Sequence, residues 1–313
     1  MKKISKKNIT PEYGFGTMAA GIGQRLMNAD GSANVKRLGE PAFQAINTYH
    51  WLLTMSWRKF NFIVLCFYIL FNILFACIYY VLPHGSLGGM IYDTPIEKFM
   101  EYFFFSAQTL STVGYGRLNP VGIEMSTVAA IESMLGLLGF ALATGLLYGR
   151  FSRPTAKLKF SDNLLIAPFK GDTAVMFRLA NGRRNSLIEV EAQIIFSYNE
   201  MENGKLSRKF QTLKLDVERI SYLTMSWTVV HPINEESAMT NLTAEDLKAV
   251  DAEFFIGIKG IDDTYAQQVH ARASYKWNDV IWKARFVSVI GLNEQGINTV
   301  DVSNLNHYEL IQN

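Results

Sequence analysis

The chain contains a run of 21 residues, 62–82, that has no charged side chain and one clearly polar residue, Asn72. At about 1.5 Å per residue, a helix of this length matches the roughly 30 Å hydrocarbon thickness of a bilayer. A second run, residues 125–148, carries a single charge, Glu132. A buried core helix is the alternative for either run, but both are longer than such helices usually are. The sequence therefore predicts two membrane spans.

The charges that flank these runs predict their orientation. Lys and Arg cluster before the first run and after the second: Arg58, Lys59, Arg150, Arg153, Lys157 and Lys159. The connecting segment, residues 83–120, contains only Lys98 and Arg117. Because cytoplasmic flanks carry the excess of Lys and Arg, we expect both termini in the cytoplasm and the connecting segment outside. The predicted location is the cell (inner) membrane, crossed by more than one span.

The residues before the first span fall into two parts. The basic start (Lys2, Lys3, Lys6 and Lys7) is followed by no apolar run, so a cleaved secretory signal is not expected. Residues 1–41 are predicted to be a cytoplasmic, partly disordered tail. Over residues 42–58, apolar side chains repeat at helical spacing: Ile46, Tyr49, Leu53 and Trp57. A helix on a soluble core shows the same repeat, but the span that follows favours a helix lying in the membrane interface.

Residues 160–313 have a different pattern. Apolar residues alternate with polar ones, most clearly Ile188, Val190, Ala192 and Ile194 with Glu189, Glu191 and Gln193. Similar short runs follow, among them residues 213–217, and they are separated by Gly, Asn and Asp; only a weak helical repeat near residues 243–250 interrupts them. Many strands without alternating helices predict an antiparallel β-sandwich over residues 151–313.

Composition and spacing exclude several classes of function. The chain has 30 basic and 28 acidic side chains, a net charge of +2, so nucleic-acid binding is not indicated. Cys66 and Cys77 share one apolar run and give neither a disulfide nor a zinc site. His231, His270 and His307 are well separated, and neither G-x-S-x-G nor H-x-x-x-H occurs, so an enzyme is not expected. No G-x-G-x-x-G follows residue 150, which argues against a nucleotide-binding regulatory domain.

The connecting segment contains the most informative motif. Residues 96–110 are apolar but too short to span, which predicts a re-entrant helix, and Thr-Leu-Ser-Thr-Val-Gly-Tyr-Gly follows at residues 109–116. Irregular backbone at membrane depth is tolerated only where it is buried in protein or lines a polar path. Gly114 and Gly116 permit backbone angles that a side chain forbids, so residues 112–115 could present a ladder of carbonyl oxygens above the Thr112 hydroxyl. One chain supplies one wall of such a cage, and several copies around an axis, most simply four, complete it.

The motif Thr112-Val-Gly-Tyr-Gly116 resembles the filter signature of potassium channels, including voltage-gated ones. Further segments resemble inward-rectifier potassium channels, in the same order and at similar spacing: Arg150-Phe-Ser-Arg-Pro-Thr155, Phe177-Arg-Leu-Ala-Asn181, Trp227-Thr-Val-Val-His-Pro232 and Ala271-Arg-Ala-Ser-Tyr275. The resemblance extends from about Asp30 to Val289 and is strongest to the prokaryotic KirBac-type branch.

This resemblance implies a homotetramer that conducts K⁺ passively and selectively, with no cofactor and with K⁺ as the permeant ligand. The implied pore domain, residues 59–150, comprises outer helix 60–82, pore helix 95–109, filter 112–116 and inner helix 121–150. Residues 42–58 would be the family's slide helix, and residues 151–313 an immunoglobulin-like cytoplasmic regulatory domain. The implied K⁺ ligands are Thr112, Val113, Gly114 and Tyr115. A non-selective cation pore is the alternative, but the motif keeps its aromatic residue and both glycines, which favours selectivity.

The resemblance also implies roles along the inner helix. Phe140 and Tyr148 align with positions that narrow the intracellular end of the pore, and Gly136 aligns with a proposed hinge, although close helix packing also explains a glycine there. Strongly rectifying relatives carry an acid where this chain has Phe140, so strong rectification is not expected, and block by polyamines or Mg²⁺ stays open. Glu132 is predicted to line the cavity, with hydrogen bonding behind the filter as the alternative.

Two more pairs of residues acquire roles in the same way. Glu189 matches an acid that lines the lower ion path in relatives, and Glu191 is expected on the same strand face, so that both would contribute to a negative ring. A solvated strand face is the alternative. Arg150 and Arg153 align with residues that bind anionic lipid in relatives. The alternative is that both only fix the orientation of the span in the membrane. Membrane lipids with anionic headgroups are therefore expected partners, and the sign of their effect stays open.

Overall fold

The computed structural model describes residues 24–35, 45–82, 86–152, 156–183, 185–202 and 204–311. The chain divides into two compact units. Gly39–Arg153 forms the helical unit, and Met1–Leu38 with Pro154–Asn313 forms the β unit. Along the chain, the helical unit is therefore inserted between two parts of the β unit.

The described part of the helical unit contains α1 (Ala45–Thr54), α2 (Trp57–Val81), α3 (Pro95–Leu110) and α4 (Ile123–Phe151). Two short strands, β1 (Ser86–Gly88) and β2 (Asn119–Val121), pair antiparallel. Among the described residues, α2 and α4 are the two helices that are long and apolar enough to cross a membrane. The helix predicted over residues 42–58 ends earlier than expected, because the extended backbone of Ser56 separates α1 from α2. Residues 42–44 of that prediction lie outside the described residues.

Helix α3 has strong local start signals and a definite end. The Thr94 hydroxyl accepts from the Glu97 amide at 3.2 Å, and the Glu97 carboxylate accepts from the Thr94 amide at 3.2 Å. This reciprocal capping satisfies amides that a helix leaves unpaired at its N-terminus, and Pro95 fits the first turn because it has no amide hydrogen to satisfy. The helix has 16 residues, about 24 Å at 1.5 Å per residue, which is shorter than the hydrocarbon layer.

Aromatic and apolar side chains from α2, α3 and α4 form one core in the helical unit: Phe75, Ala76, Tyr79, Tyr102, Phe105, Met125 and Ala129, with Leu87 and Leu118 from the connections. Three buried polar side chains lie at this core: Asn72, Ser106 and Glu132. The opposite faces of α2 and α4 expose large apolar side chains such as Phe62, Leu70 and Leu137. Exposed apolar surface on this scale is typical of contact with lipid or with other protein chains.

Among the described residues, the β unit contains two five-stranded sheets that share one core and two further sheets of two strands each. Its strands are β3 (Leu158–Phe160), β4 (Leu164–Phe169), β5 (Asp172–Asn181), β6 (Leu187–Glu202), β7 (Lys205–Leu213), β8 (Arg219–Leu223), β9 (Ser226–Ile233), β10 (Glu253–Asp262), β11 (Gln267–Lys276), β12 (Val280–Trp282), β13 (Ala284–Phe286), β14 (Ile290–Leu292), β15 (Asn298–Val300) and β16 (Tyr308–Leu310). A short helix, α5 (Ala244–Ala249), lies between β9 and β10 along the chain, where the sequence shows its weak helical repeat.

The first sheet has the order β11-β10-β6-β7, with β8 also paired to β6, and the second has the order β12-β4-β5-β3, with β9 also paired to β5. Every pair is antiparallel except β4 with β12. Alternate side chains from the two sheets meet in the core, among them Val175, Phe177, Ile194, Phe196 and Ile256. This is the arrangement of a β-sandwich.

Residues 24–35 differ from the tail predicted over residues 1–41, because they pack on the β unit. Met27 is buried against Phe210 and Phe255, and it forms a β-bridge with Ala33. The amides of Leu26 and Met27 donate to the buried Glu253 carboxylate at 3.1 and 3.3 Å. The remainder of the predicted tail, residues 1–23 and 36–41, lies outside the described residues.

Candidate functional site

The loop that follows α3 has an alternating backbone. Thr112, Gly114 and Gly116 have positive φ values of 60°, 56° and 87°, whereas the residues between them do not. Positive φ is easy for glycine but unfavourable for a β-branched residue such as threonine, so the conformation at Thr112 has to be imposed by its surroundings. A backbone that alternates between left- and right-handed conformations directs successive carbonyl groups toward one side of the chain.

Gln108, near the end of α3, holds this loop from behind. Its carbonyl oxygen accepts from the amides of Val113 and Gly114 at 2.9 and 3.2 Å, and its side-chain oxygen accepts from the Tyr115 amide at 3.2 Å. Its side-chain nitrogen donates to the Leu118 carbonyl at 3.4 Å. Within the described part of the chain, the carbonyl oxygens of residues 112–115 accept no hydrogen bond. Four successive carbonyl groups are thus free for an external ligand.

Arg117 fixes the outer end of the loop. Its guanidinium donates to both oxygens of the Glu101 carboxylate, at 2.8 and 3.1 Å, and to the Gly89 carbonyl at 2.9 Å. One guanidinium nitrogen, Nη2, contacts both carboxylate oxygens, and the other, Nη1, contacts Gly89, so Arg117 links α3 to the segment that follows β1. Neither this pair nor Gln108 is predicted from the sequence. The available signals are a polar residue inside the apolar stretch 96–110 and the single arginine of the connecting segment.

The predicted gate residues, Phe140 and Tyr148, are separated by two helical turns of α4, with Thr144 between them on the same face. Their side chains are 73% and 74% exposed in the single chain. Helix α3 ends at Leu110, which is level with Gly136. Phe140 and Tyr148 follow that point, so α3 leaves this stretch of α4 uncovered.

Gly136 is a close-packing position in this structure. A β-carbon there would lie 2.1 Å from the carbonyl oxygen of Leu110. The helix is continuous from Ile123 to Phe151, with Gly136 buried against the end of α3. Of the two explanations that the sequence leaves open, packing is the one that these contacts favour, and the hinge stays a prediction.

The structure corrects the prediction that Glu132 lines the cavity. Its side chain is fully buried, with its carboxyl oxygens in contact with the Tyr79 hydroxyl of α2 at 2.5 Å and with the Ser106 hydroxyl of α3. The reason is rotational: Glu132 lies on the same face of α4 as Met125, Ala129 and Gly136, and that face packs against α2 and α3. The alternative reading, hydrogen bonding behind the filter, is the one observed.

Arg150, expected to bind anionic lipid, is engaged within the helical unit. Its guanidinium donates to the carbonyl oxygens of Leu52 and Met55, at 2.5 and 2.7 Å, and it stacks on the rings of Trp57 and Phe60. These carbonyls belong to the end of α1, where a cation is favoured by the partial negative charge of the helix C-terminus. Arg150 therefore joins α1 to α4 in this structure, and its contact with anionic lipid stays a prediction. Arg153 lies outside the described residues.

Both carboxylates of the negative ring predicted from Glu189 and Glu191 form ion pairs with basic side chains. Glu189 pairs with Arg219, and Glu191 pairs with Lys259 at 2.6 Å. Glu189 has a φ of 52°, next to the irregularity in the β6–β10 ladder, so regular alternation does not hold there. Each carboxylate thus has a cation on a neighbouring strand. No group of three or more His, Cys, Asp or Glu side chains that could hold a metal ion occurs among the described residues.

Comparisons with known proteins match both units. A family model described as the inward rectifier potassium channel C-terminal domain matches residues 158–313, and one described as an ion channel matches residues 63–152. The inward rectifier potassium channel Kirbac3.1 of Paramagnetospirillum magnetotacticum is 37% identical over 280 residues, which cover 89% of this chain and 93% of that protein. The ATP-sensitive inward rectifier potassium channel 12 of Gallus gallus is 25% identical over 301 residues, covering 85% of this chain and 67% of the relative.

Among solved structures, the sporulation control protein Spo0M of Bacillus subtilis is 13% identical, with a TM-score of 0.23 over 41% of this chain and 50% of that protein. A likeness this low carries no weight for fold or function.

Proposed function

The chain belongs to the inward-rectifier potassium channel family, and we propose that it conducts K⁺ passively and selectively through a filter built from residues 112–116 of four identical copies. The predicted fold class of a two-span pore followed by an all-β domain is confirmed, and the chain is a membrane ion channel and not an enzyme. The homotetramer, the selectivity of this filter and the control of the gate are parts of the proposal.

The free carbonyl groups of residues 112–115 are the observation that carries the proposal. Gln108 accepts hydrogen bonds from the amides of this loop, whereas the carbonyl oxygens of the loop have no hydrogen-bond donor in the described part of the chain. Rings of such oxygens replace the hydration shell of K⁺ in potassium channels. A single chain exposes 84% of Tyr115, a large side chain that gains burial if further copies pack around the loop.

The gate is proposed to lie at Phe140 and Tyr148. In a tetramer whose inner helices converge below the filter, four copies of these exposed aromatic side chains would narrow the path and exclude water. Arg150 is two residues beyond Tyr148 and holds the end of α1, so a shift of α1 would be passed to the gate. Regulation by the β unit, and by anionic lipid at Arg153, stays part of the proposal.

The proposed location is the cell (inner) membrane, with both termini in the cytoplasm. Basic side chains flank α2 at its start and α4 at its end, and they outnumber those of the connecting segment. That distribution is typical of cytoplasmic flanks. The β unit, formed by the chain on either side of the spans, would accordingly lie in the cytoplasm.

Flux measurements on the purified protein in liposomes test this proposal. We expect rapid K⁺ flux, little Na⁺ flux and a tetrameric mass in detergent. Gly114→Ala is expected to abolish K⁺ flux, because Gly114 has a φ of 56° within the filter. Gly171→Ala is the matched control: Gly171 also has a positive φ, 92°, and nothing lies within 4 Å of an added β-carbon. A monomeric protein would contradict the proposal. Equal flux of Na⁺ and K⁺ would also contradict it and would support a non-selective pore.

A further inference from the structure

The carboxyl group of Glu132 lies where three helices meet. Glu132 (α4), Ser106 (α3) and Asn72 (α2) are all fully buried, and so is Tyr79 of α2. The Tyr79 hydroxyl contacts one carboxyl oxygen of Glu132, and the Ser106 hydroxyl contacts the other. Ser106 also lies 3.0 Å from the side-chain oxygen of Asn72. No basic side chain pairs with Glu132 among the described residues.

A count of the protons in this cluster fixes their placement. The side-chain nitrogen of Asn72 lies 2.7 Å from the Tyr68 carbonyl, which can only accept, so the orientation of the Asn72 amide is set and its oxygen faces Ser106. Ser106 has a single hydroxyl hydrogen but contacts two oxygens, one on Asn72 and one on Glu132. If the carboxyl group were ionised, one of these two contacts would hold two oxygens together without a hydrogen.

We propose that Glu132 is a neutral carboxylic acid that donates its proton to the hydroxyl oxygen of Ser106, and that this hydrogen bond holds the pore helix in place behind the filter. With that one proton, every contact has a hydrogen and all bonds run in one direction. Tyr79 donates to Glu132, and Glu132 donates to Ser106. Ser106 then donates to Asn72, and Asn72 donates to the Tyr68 carbonyl.

The energetics of a membrane span agree with this assignment. An ionised carboxylate in a span is costly unless it has a charged partner or water, and the surroundings of Glu132 provide only neutral groups. A protonated carboxyl can both donate and accept. A network in which every member is satisfied is favourable in a low-dielectric interior, whereas one unmatched member makes it costly.

The link to conduction rests on the proposed function. Ser106 is two residues before Gln108, the residue that holds the filter amides, and both belong to α3. A shift of α3 at Ser106 would therefore be passed to Gln108 and to the carbonyl groups of residues 112–115. Glu132 touches neither the ion nor the filter, so it is a positioning residue that acts through α3.

Infrared difference spectra test the protonation state directly. The spectrum of the reconstituted channel minus that of Glu132→Gln, both at neutral pH, is expected to contain the carbonyl band of a protonated, hydrogen-bonded carboxylic acid. Glutamine can accept from Tyr79 and donate to Ser106, so this variant keeps the chain of hydrogen bonds. The bands of an ionised carboxylate in the same difference spectrum would overturn the proposal.

Selectivity measurements test the positioning role. Glu132→Gln is expected to keep the K⁺/Na⁺ permeability ratio of the unmodified channel, and Glu132→Leu, of similar size but without hydrogen bonds, is expected to lower it at least about tenfold. Ser106→Ala, a milder change, is expected to lower it too, because it breaks the same link from the α3 side. Ser133→Ala is the control: it removes a half-buried hydroxyl one residue along α4, about 100° around the helix.

The permeability ratio is a property of assembled channels, so a role in folding alone would lower the yield and leave the ratio unchanged. Unchanged ratios in Glu132→Leu and Ser106→Ala would overturn the positioning role while the unmodified channel stays selective. If Glu132→Leu does not assemble, Ser106→Ala decides alone. An unmodified channel that fails to select K⁺ would instead contradict the proposed function.

Discussion

Replacing Gly136 by alanine distinguishes a packing contact from a hinge. A β-carbon at Gly136 would lie 2.1 Å from the carbonyl oxygen of Leu110, and β-carbons essentially never approach another atom closer than 3.0 Å. The end of α3 therefore has to move by at least about 0.9 Å, the difference between those two distances. Leu110 is two residues before Thr112, and a binding site tolerates displacements of only about 0.5 Å.

We expect Gly136→Ala to lower both the K⁺/Na⁺ permeability ratio and the amount of assembled channel. Overpacking of this kind costs about 1–3 kcal/mol, and about 1.4 kcal/mol corresponds to a tenfold change in an equilibrium. Gly139→Ala is the matched control, since a β-carbon there meets nothing within 4 Å. Both substitutions gain the same helix propensity, up to about 1 kcal/mol, so that gain cancels in the comparison.

Liposome flux with K⁺ and with Na⁺, together with size-exclusion chromatography, measures these effects. If Gly136 acts as a hinge, alanine would stiffen α4 and lower the open probability while selectivity and assembly stay normal. A fully selective, fully assembled Gly136→Ala channel with reduced opening would therefore refute the packing explanation.

Three further substitutions test three features: the proposed gate at Tyr148, the contact of Arg150 between α1 and α4, and the pH dependence of the stability of the β unit. Tyr148→Ala should raise the open probability in bilayer recordings, and an unchanged closed fraction would remove Tyr148 from the gate. Arg150→Leu removes two hydrogen bonds to the end of α1. Hydrogen exchange of the backbone amides of residues 48–54 should therefore accelerate by about tenfold, which corresponds to about 1.4 kcal/mol. Equal exchange rates in both proteins would show that Arg150 does not stabilise α1. His231 is buried between the Lys214 carbonyl and the Ser237 hydroxyl, and burial lowers the pKa of His231 below its usual 6.5. The folded protein therefore binds this proton less readily than the unfolded chain, so stability should fall as the pH drops below about 6.5, by at most about 1.4 kcal/mol per pH unit. His231→Gln should flatten that part of the pH dependence of thermal unfolding, and an unaltered slope would exclude His231 as its source.

The fold class is predictable because its signals are local. Length and the absence of charge over residues 62–82 predict a span whatever it packs against, and the observed α2 starts only slightly earlier, at Trp57. Alternation near residue 190 likewise predicts a strand. A strand expected at residues 213–217 is wrong beyond Leu213, where β7 ends, since a short apolar run in a loop looks the same.

The candidate site is only partly predictable, because partners depend on how helices rotate and which strands pair. The motif over residues 112–116 carries its own backbone signature. Nothing in the sequence says that Gln108 turns toward that loop, or which face of α4 presents Glu132 to α3. The same limit applies to Glu191, whose cation on the adjacent strand is fixed by the register of β6 with β10.

The order of the units along the chain bears on the proposed gate at Tyr148. The fully buried Glu253 of the β unit accepts from the amides of Leu26 and Met27, and it also pairs with Arg208. Nine residues lie between residues 24–35 and α1, a connection of ten Cα–Cα steps and at most about 36 Å. On the other side, only a few residues separate the end of α4 from β3. The chain therefore links the two units at two points, before α1 and after α4, and Arg150 joins those two helices beside Tyr148.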